Sequence, residues 1–308
     1  MMVGLKAYLS GNMKQFTFWF AISAPLKYFS ILIYIPLVLL KEKRIHRILL
    51  QGVLVVLPIL FFWIAVPYGR AELVEGCTFS GSSSGTNIAK PIYDAMFVTG
   101  SIGFGTLYIY IFAWVVFLIL CYCYPVQEKN NYRIPIYVCY AAYTIQFTFG
   151  YSHPYWLILM VPFMVLLILM DERHRYINLL LELVGTAAMA WAQIFTYTWC
   201  FKSNILNLSF WKDILPAGVA QEDYSVITVL SRYIQDPRLQ EYAAGIGLSV
   251  YGACILIFSL LNFPLWKREL PVLQIGRGND YWLLPLRAVI VLGIGLSPLV
   301  LYVFHAIM

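Results

Sequence analysis

Charge is scarce in this chain. Only 12% of its 308 residues are Asp, Glu, Lys or Arg, against about 25% in an ordinary globular protein. So few charges cannot solvate the surface of a water-soluble fold of this size, and they also exclude a disordered chain, which needs high charge and low hydrophobicity. Cysteine is sparse as well: six in 308 residues rule out a secreted scaffold built on disulfides. No phosphate-binding P-loop and no metalloprotease helix signature occurs. Gly100-Ser101-Ile102-Gly103-Phe104-Gly105 is glycine-rich, but no strand is expected before it, so it does not read as a dinucleotide loop. Cys121 and Cys123 are two apart inside an apolar run and point to different helix faces, so they make no metal pair. No ligand cluster points to a metal or any other cofactor.

What the chain has instead is apolar length. Hydrophobic residues make up 61% of it and the mean hydropathy is +0.75. A membrane-crossing helix needs about 20 apolar residues, and only helices or closed barrels satisfy their backbone in lipid. The runs are continuous rather than alternating, which selects helices. Eight segments emerge: Phe16–Leu40, Ile48–Pro67, Phe104–Tyr124, Pro135–Phe149, Pro154–Met170, Ile177–Trp199, Gly245–Trp266 and Leu283–Ile307. The expected fold is therefore all-α, a polytopic transmembrane helical bundle forming a single domain over residues 1–308. Lys6 and Lys14 precede the first run, but that run is too long for a signal peptide and no small-residue cleavage site follows it.

Basic residues orient the bundle. The net charge of +6 does not read as nucleic-acid binding, because Lys and Arg sit in short clusters between the apolar runs. The alternate loops 41–47, 125–134, 171–176 and 267–281 hold eleven of them, while the opposite, much longer set holds eight. The short basic loops then face the cytoplasm. Two long loops, near 68–103 and 200–244, face outward, so the polar mass lies outside. Cys77 and Cys200 fall on that side and are free to bridge or not. The expected location is a multi-pass position in a bacterial plasma membrane.

Pro25-Leu26-Lys27 divides the first segment into halves too short to cross singly. Two readings stand: one kinked span, or a re-entrant helical hairpin with Lys27 at its tip. At the bilayer midplane a Lys costs about 2.5–3.5 kcal/mol, so an intramembrane Lys marks a functional site by default. An ammonium in a cavity near the outer leaflet suits a lipid-linked phosphate. In Tyr151-Ser152-His153-Pro154-Tyr155-Trp156 a short loop ends in a Pro suited to the first turn of a helix. His153 then stands near that helix's positive end, with Tyr155 and Trp156 at the level of an interfacial aromatic belt. Glu182 and Arg287 lie near cytoplasmic ends, where snorkelling or partners such as Asp171, Arg173 and Arg175 account for them. Gln146, Gln193, Thr196 and Thr198 lie in outer halves and either line a polar cavity or bridge helices. The outer carboxylates Glu72, Glu75, Asp94, Asp213, Glu222, Asp223, Asp236 and Glu241 include candidate general bases, but no spacing selects a pair.

The segment Phe20-Ala21-Ile22-Ser23-Ala24-Pro25-Leu26-Lys27-Tyr28, followed by Ile35-Pro36-Leu37-Val38-Leu39-Leu40-Lys41-Glu42-Lys43, resembles a recurrent stretch of C-type integral-membrane glycosyltransferases. His153-Pro154-Tyr155-Trp156, with Pro162 eight residues after Pro154, resembles their late His-Pro-x-Trp pattern, and the two segments come in the family's order. These motifs cover about a tenth of the chain. The resemblance implies transfer of a sugar from a polyprenyl-phosphate donor to an acceptor on the extracytoplasmic side. It makes Lys27 a contact for the donor phosphate, with His153, Tyr155 and Trp156 beside the donor site. Such enzymes carry a catalytic acid in their first outer loop, with several helices before the Lys segment. Here that segment opens the chain, so the likeness is to a C-terminal portion, and the catalytic residue has no matching position. The base stays unassigned, a divalent metal is compatible with the chemistry, and a separate N-terminal half or subunit is an expected partner beside the lipid bilayer. A transporter or lipid-linked saccharide flippase, and a non-catalytic membrane subunit, are the competing readings. A transporter favours an internal repeat, and the halves show none.

Overall fold

In the computed structural model, the described residues are 1–26, 29–65, 99–102, 105–125, 132–149, 154–171, 173–196, 236–264, 282, 285–293, 296 and 300. They are helical apart from one small hairpin, and the chain divides into two compact units, where the sequence alone reads as one domain. The first contains residues 1–170 and 263–273, the second residues 171–262 and 274–308.

The first unit opens with α1 (Met2–Leu9), α2 (Met13–Leu26), α3 (Phe29–Lys41) and α4 (Ile45–Ala65). A continuous helix through residues 13–41 would hold Thr17 and Tyr34 about 25 Å apart. Their hydroxyls instead hydrogen-bond at 3.2 Å. The chain therefore reverses between Leu26 and Phe29, and the kinked single span gives way to a helical hairpin. Its arms, 14 and 13 residues long, are each about 20 Å. Pro25 at the end of α2 is the local cause, since its ring and missing N–H disrupt the helical ladder there. Tyr34 is 1% exposed. Its ring stacks on Phe16 at 4.9 Å and lies 5.4 Å from Phe20. Its hydroxyl donates to the Gln51 carbonyl of α4 at 3.2 Å, which leaves Thr17 as the donor in the other bond.

Strands β1 (Thr99–Ile102) and β2 (Gly105–Tyr108) pair antiparallel, Thr99 opposite Tyr108 and Ile102 opposite Gly105. The expected span Phe104–Tyr124 thus becomes helical only at Ile109. Glycines weaken helix there, while Thr106 and Tyr108 favour strand. Then come α5 (Ile109–Cys123), α6 (Arg133–Phe149), a 3-10 segment (Pro154–Leu159) and α7 (Val161–Met170). Cations gather at one end of this unit. Lys43 Nζ donates to the carbonyls of Leu39, Cys121 and Tyr122 at 2.7, 3.1 and 2.6 Å, neutralising the negative ends of α3 and α5. Lys41 Nζ stands 5.1 Å from the centre of the Tyr8 ring, and Arg133 donates to the Met170 carbonyl at 3.4 Å.

The second unit is built on α8 (Arg175–Thr196) and α9 (Pro237–Leu261), an antiparallel pair. Small residues bring the backbones together: a Cβ on Gly247 would lie 2.7 Å from the Ala188 carbonyl oxygen. The α9 helix begins at Pro237, eight residues before the expected Gly245, so residues 237–244 of the expected loop are helical. The cause is a plain start signal, since Asp236 accepts from the Arg238 N–H at 2.8 Å and Pro237 follows it in the first turn. Arg238–Leu261 is long and apolar enough to cross a membrane, by length and composition, with a mean hydropathy of 2.1 over its most apolar 18 residues.

Tyr34→Phe keeps the rings and loses only two interhelical hydrogen bonds, at roughly 0.6 kcal/mol each inside a membrane protein. Tyr34→Ala removes the packing and should lower stability by about 3–5 kcal/mol. Thermal unfolding of the detergent-purified variants measures both. Equal losses would mean that Tyr34 does not hold the hairpin by packing.

Candidate functional site

The reversal of α2 into α3 sets the position of everything at the other end of the first unit. Phe29, the first residue of α3, is 1% exposed and meets the Trp156 ring edge-on at 4.6 Å and the Phe147 ring at 6.0 Å. The Tyr143 hydroxyl donates to the Phe29 carbonyl at 3.3 Å, and the Tyr143 ring stacks on Phe147 at 5.5 Å. Two segments separated by about 120 residues of sequence therefore share one aromatic cluster. One is the segment that carries Lys27, the other the His153-Pro154-Tyr155-Trp156 segment.

Lys27 and His153 lie outside the described residues, and so does the side chain of Tyr155. Trp156 is described, and it is buried, 7% exposed, in contact with Phe29. A buried indole packed on its own protein is a wall of a site rather than an open platform for a sugar ring. Tyr155 does lie in a helical turn, as expected from Pro154, although the turn is 3-10 rather than α.

Polar groups border the same end. Gln146, 4% exposed, accepts a hydrogen bond from the Tyr110 hydroxyl at 2.7 Å, which joins the start of α5 to the end of α6. Of the two roles open to Gln146, bridging helices is the one the geometry displays. In the second unit, described by itself, Gln193 is half-buried in α8, and Thr196 ends that helix. The carboxylates also resolve in part: Asp236 caps α9 and Glu241 lies within it. Glu72, Glu75, Asp94, Asp213, Glu222 and Asp223, like Thr198, Cys77 and Cys200, fall outside the described residues. No group of three or more His, Cys, Asp or Glu side chains converges on a common point among the described residues.

The second unit holds a charged pair of its own. Arg287 Nε donates to Glu182 Oε2 at 2.7 Å and its terminal nitrogen to Glu182 Oε1, a two-point contact with planar forks facing each other. Glu182 is 4% exposed. Sequence spacing offered Glu182 the nearer Arg173 and Arg175, yet it pairs with Arg287 across 105 positions. Asp171, Asn178 and Asn262 form a second buried group: Asn178 Nδ2 lies 3.4 Å from Asp171 Oδ2, and Asn262 Nδ2 donates to Asn178 Oδ1 at 3.0 Å. Neither asparagine was expected to matter, and only their isolation within apolar runs marks them.

No protein-family model matches this chain, and neither a curated protein nor a solved structure matches it. The functional reading rests on residues and geometry.

Removing one member of a buried ion pair strands the other charge and costs about 3–5 kcal/mol. We expect losses of that order for Glu182→Gln and for Arg287→Met singly. The double variant should recover at least half of the summed loss. Additive losses in thermal unfolding would show that the two residues are not coupled.

Proposed function

We propose that this chain is a multi-pass membrane protein that binds a polyprenyl-phosphate-linked sugar at its extracytoplasmic end, as the donor-binding portion of a membrane glycosyltransferase. The contact of Phe29 with Trp156 carries the reading. Lys27 stands two residues before Phe29 and His153 three residues before Trp156, so one aromatic cluster anchors the chain next to both. These are the two segments that resemble the glycosyltransferases, and their packing against each other is an observation independent of that resemblance.

Several features support the membrane part. Besides Arg238–Leu261, helices α4 and α8 are 21 and 22 residues long, enough to cross about 30 Å of hydrocarbon. The α2–α3 hairpin, with arms of about 20 Å, is too short to cross and fits a re-entrant element. Lys41, Lys43 and Arg133 collect at the opposite end of the same unit from Phe29, in line with basic loops on the cytoplasmic side. Mechanistically, sugar transfer needs an acceptor nucleophile deprotonated by a carboxylate and a leaving phosphate stabilised by cations. Lys27 is the cation we assign to that phosphate. The general base is left to a partner half of the enzyme or to an outer loop of this chain.

The topology has a direct check. Single Cys variants in a Cys-free background, probed in intact cells with an impermeant thiol reagent, should label at Ser82→Cys and stay silent at Arg44→Cys. The reverse pattern overturns the orientation. For the donor, Lys27→Met keeps the bulk and removes one charge-assisted contact, so binding should weaken about tenfold to a hundredfold. The measurement is binding of a polyprenyl-phosphate sugar to detergent-purified wild type and variant, with thermal unfolding as the folding control. Equal binding by both would favour a transporter, in which Lys27 need not touch the phosphate.

A further inference from the structure

An open groove runs along the outside of α3 and α4. Its volume is about 410 Å³ and its walls are apolar, formed by Tyr34, Ile35 and Val38 of α3 and a stripe of α4. That stripe is built on rows four residues apart, Ile48, Gly52, Val56 and Leu60 in one and Leu49, Val53 and Leu57 in the other. From Ile48 to Leu60 the helix rises about 18 Å, close to one half of a hydrocarbon core of about 30 Å. The groove is therefore one leaflet deep. Its middle is left open by a glycine, because a Cβ on Gly52 would meet nothing within 4 Å.

Followed backwards by one helical turn, the two rows lead to Arg44 and Ile45, in the basic loop 41–47. Four cations stand there against one carboxylate. Lys43 is committed to helix-end carbonyls and Lys41 to the Tyr8 ring. Glu42 is turned inward: its Oε1 accepts the N–H groups of Arg44 at 3.0 Å and Lys43 at 3.1 Å, and its Oε2 lies 3.5 Å from Arg47. Those contacts, the Arg44 N–H foremost, hold its carboxyl below the usual range. Arg44 is exposed, and the Arg47 side chain is 52% exposed. The positive end of α4 opens at the same point.

We propose that this groove is a binding site for an anionic phospholipid of the cytoplasmic leaflet, with one acyl chain along the α4 stripe and the headgroup phosphate at Arg44 and Arg47. Charge at the mouth and a depth of one leaflet identify the occupant: a neutral lipid leaves the exposed Arg44 side chain unused, and a membrane-crossing helix of a partner is longer than the groove. The site rests on the membrane-spanning reading above but not on donor binding, which is assigned to the opposite end of the unit and is read out through Lys27.

Gly52 and Arg44 separate chain from headgroup. Gly52→Leu projects into the groove from a Cβ that meets nothing within 4 Å and replaces a weak helix former with a good one, so the fold should hold. The test is native mass spectrometry and thermal unfolding of delipidated wild type, Arg44→Gln and Gly52→Leu. The titrants are palmitoyl-oleoyl phosphatidylglycerol, the matching phosphatidylcholine, and inorganic phosphate. Wild type should retain phosphatidylglycerol in preference to phosphatidylcholine and gain thermal stability from it, with no gain from phosphate alone. Arg44→Gln should bind phosphatidylglycerol about fivefold more weakly, and Gly52→Leu should lose both lipids while unfolding no earlier than wild type. Equal retention of the two lipids, unchanged retention in both variants, or the full gain from inorganic phosphate would overturn the proposal. A dimer of wild type abolished by Gly52→Leu would give the groove to a second copy of the chain and overturn it equally. Donor binding lost in Lys27→Met while phosphatidylglycerol binding persists would tell failure of one site from failure of the other.

Discussion

The first unit depends on the hydroxyl and ring of one tyrosine. Tyr34 is the point where α2, α3 and α4 meet: its ring stacks on Phe16, its oxygen accepts from Thr17, and its proton goes to the Gln51 carbonyl. That three-way contact, with the break at Pro25, holds residues 13–41 folded back as a hairpin instead of running on as a long helix. The reversal brings Phe29 to the far end of the unit, and Phe29 in turn collects Trp156, Phe147 and Tyr143. Helix α3 thus carries two aromatic clusters, one around Tyr34 at mid-hairpin and one around Phe29 at its first turn, beside the site proposed for the donor. The interaction is mostly packing, because a buried phenol gains far more from its ring than from either weak hydrogen bond.

Much of this architecture was legible in the amino-acid sequence, and the parts that were not have physical causes. The apolar runs located α4 to α9 because continuous hydrophobicity is a property of single segments. The break at Pro25-Leu26-Lys27 was legible too, but its outcome was not. A proline permits both a kink and a reversal, and the choice was made by Thr17 and Tyr34, which lie 17 positions apart. The hairpin β1–β2 was missed because its four-residue strands abut the apolar run of α5, so hydropathy blurs the boundary. The early start of α9 was signalled plainly by Asp236-Pro237, a local cap that a search for apolar stretches passes over.

The candidate site divides in the same way. Lys27 and His153 stood out by chemistry, as a cation in an apolar run and a ring nitrogen before a helix. The packing of Phe29 on Trp156, close in sequence to both, was not readable, because neither aromatic is distinguishable from the other rings of so aromatic a chain. Glu182 and Arg287 show the converse. Each was visible as a charge in an apolar run, yet local spacing offered Glu182 nearer partners in Arg173 and Arg175, and only tertiary structure paired it with Arg287 across 105 positions.

The seam between α8 and α9 has a mechanical consequence. At one end Asn178 and Asn262 hold the pair together, and toward the other Trp191 Nε1 donates to the Ala243 carbonyl at 3.1 Å. The two clasps are about 20 Å apart along α8. Between them Gly247 sits so close to Ala188 that no side chain fits. Sliding α9 by one turn would bring Ala243 or Tyr251 to that point, and the tyrosine ring has nowhere to go. Clasped twice and keyed in the middle, the pair can neither slip nor splay. The two helices are thereby held in one register along their length, so that α8 and α9 are a single paired element and not two separate helices.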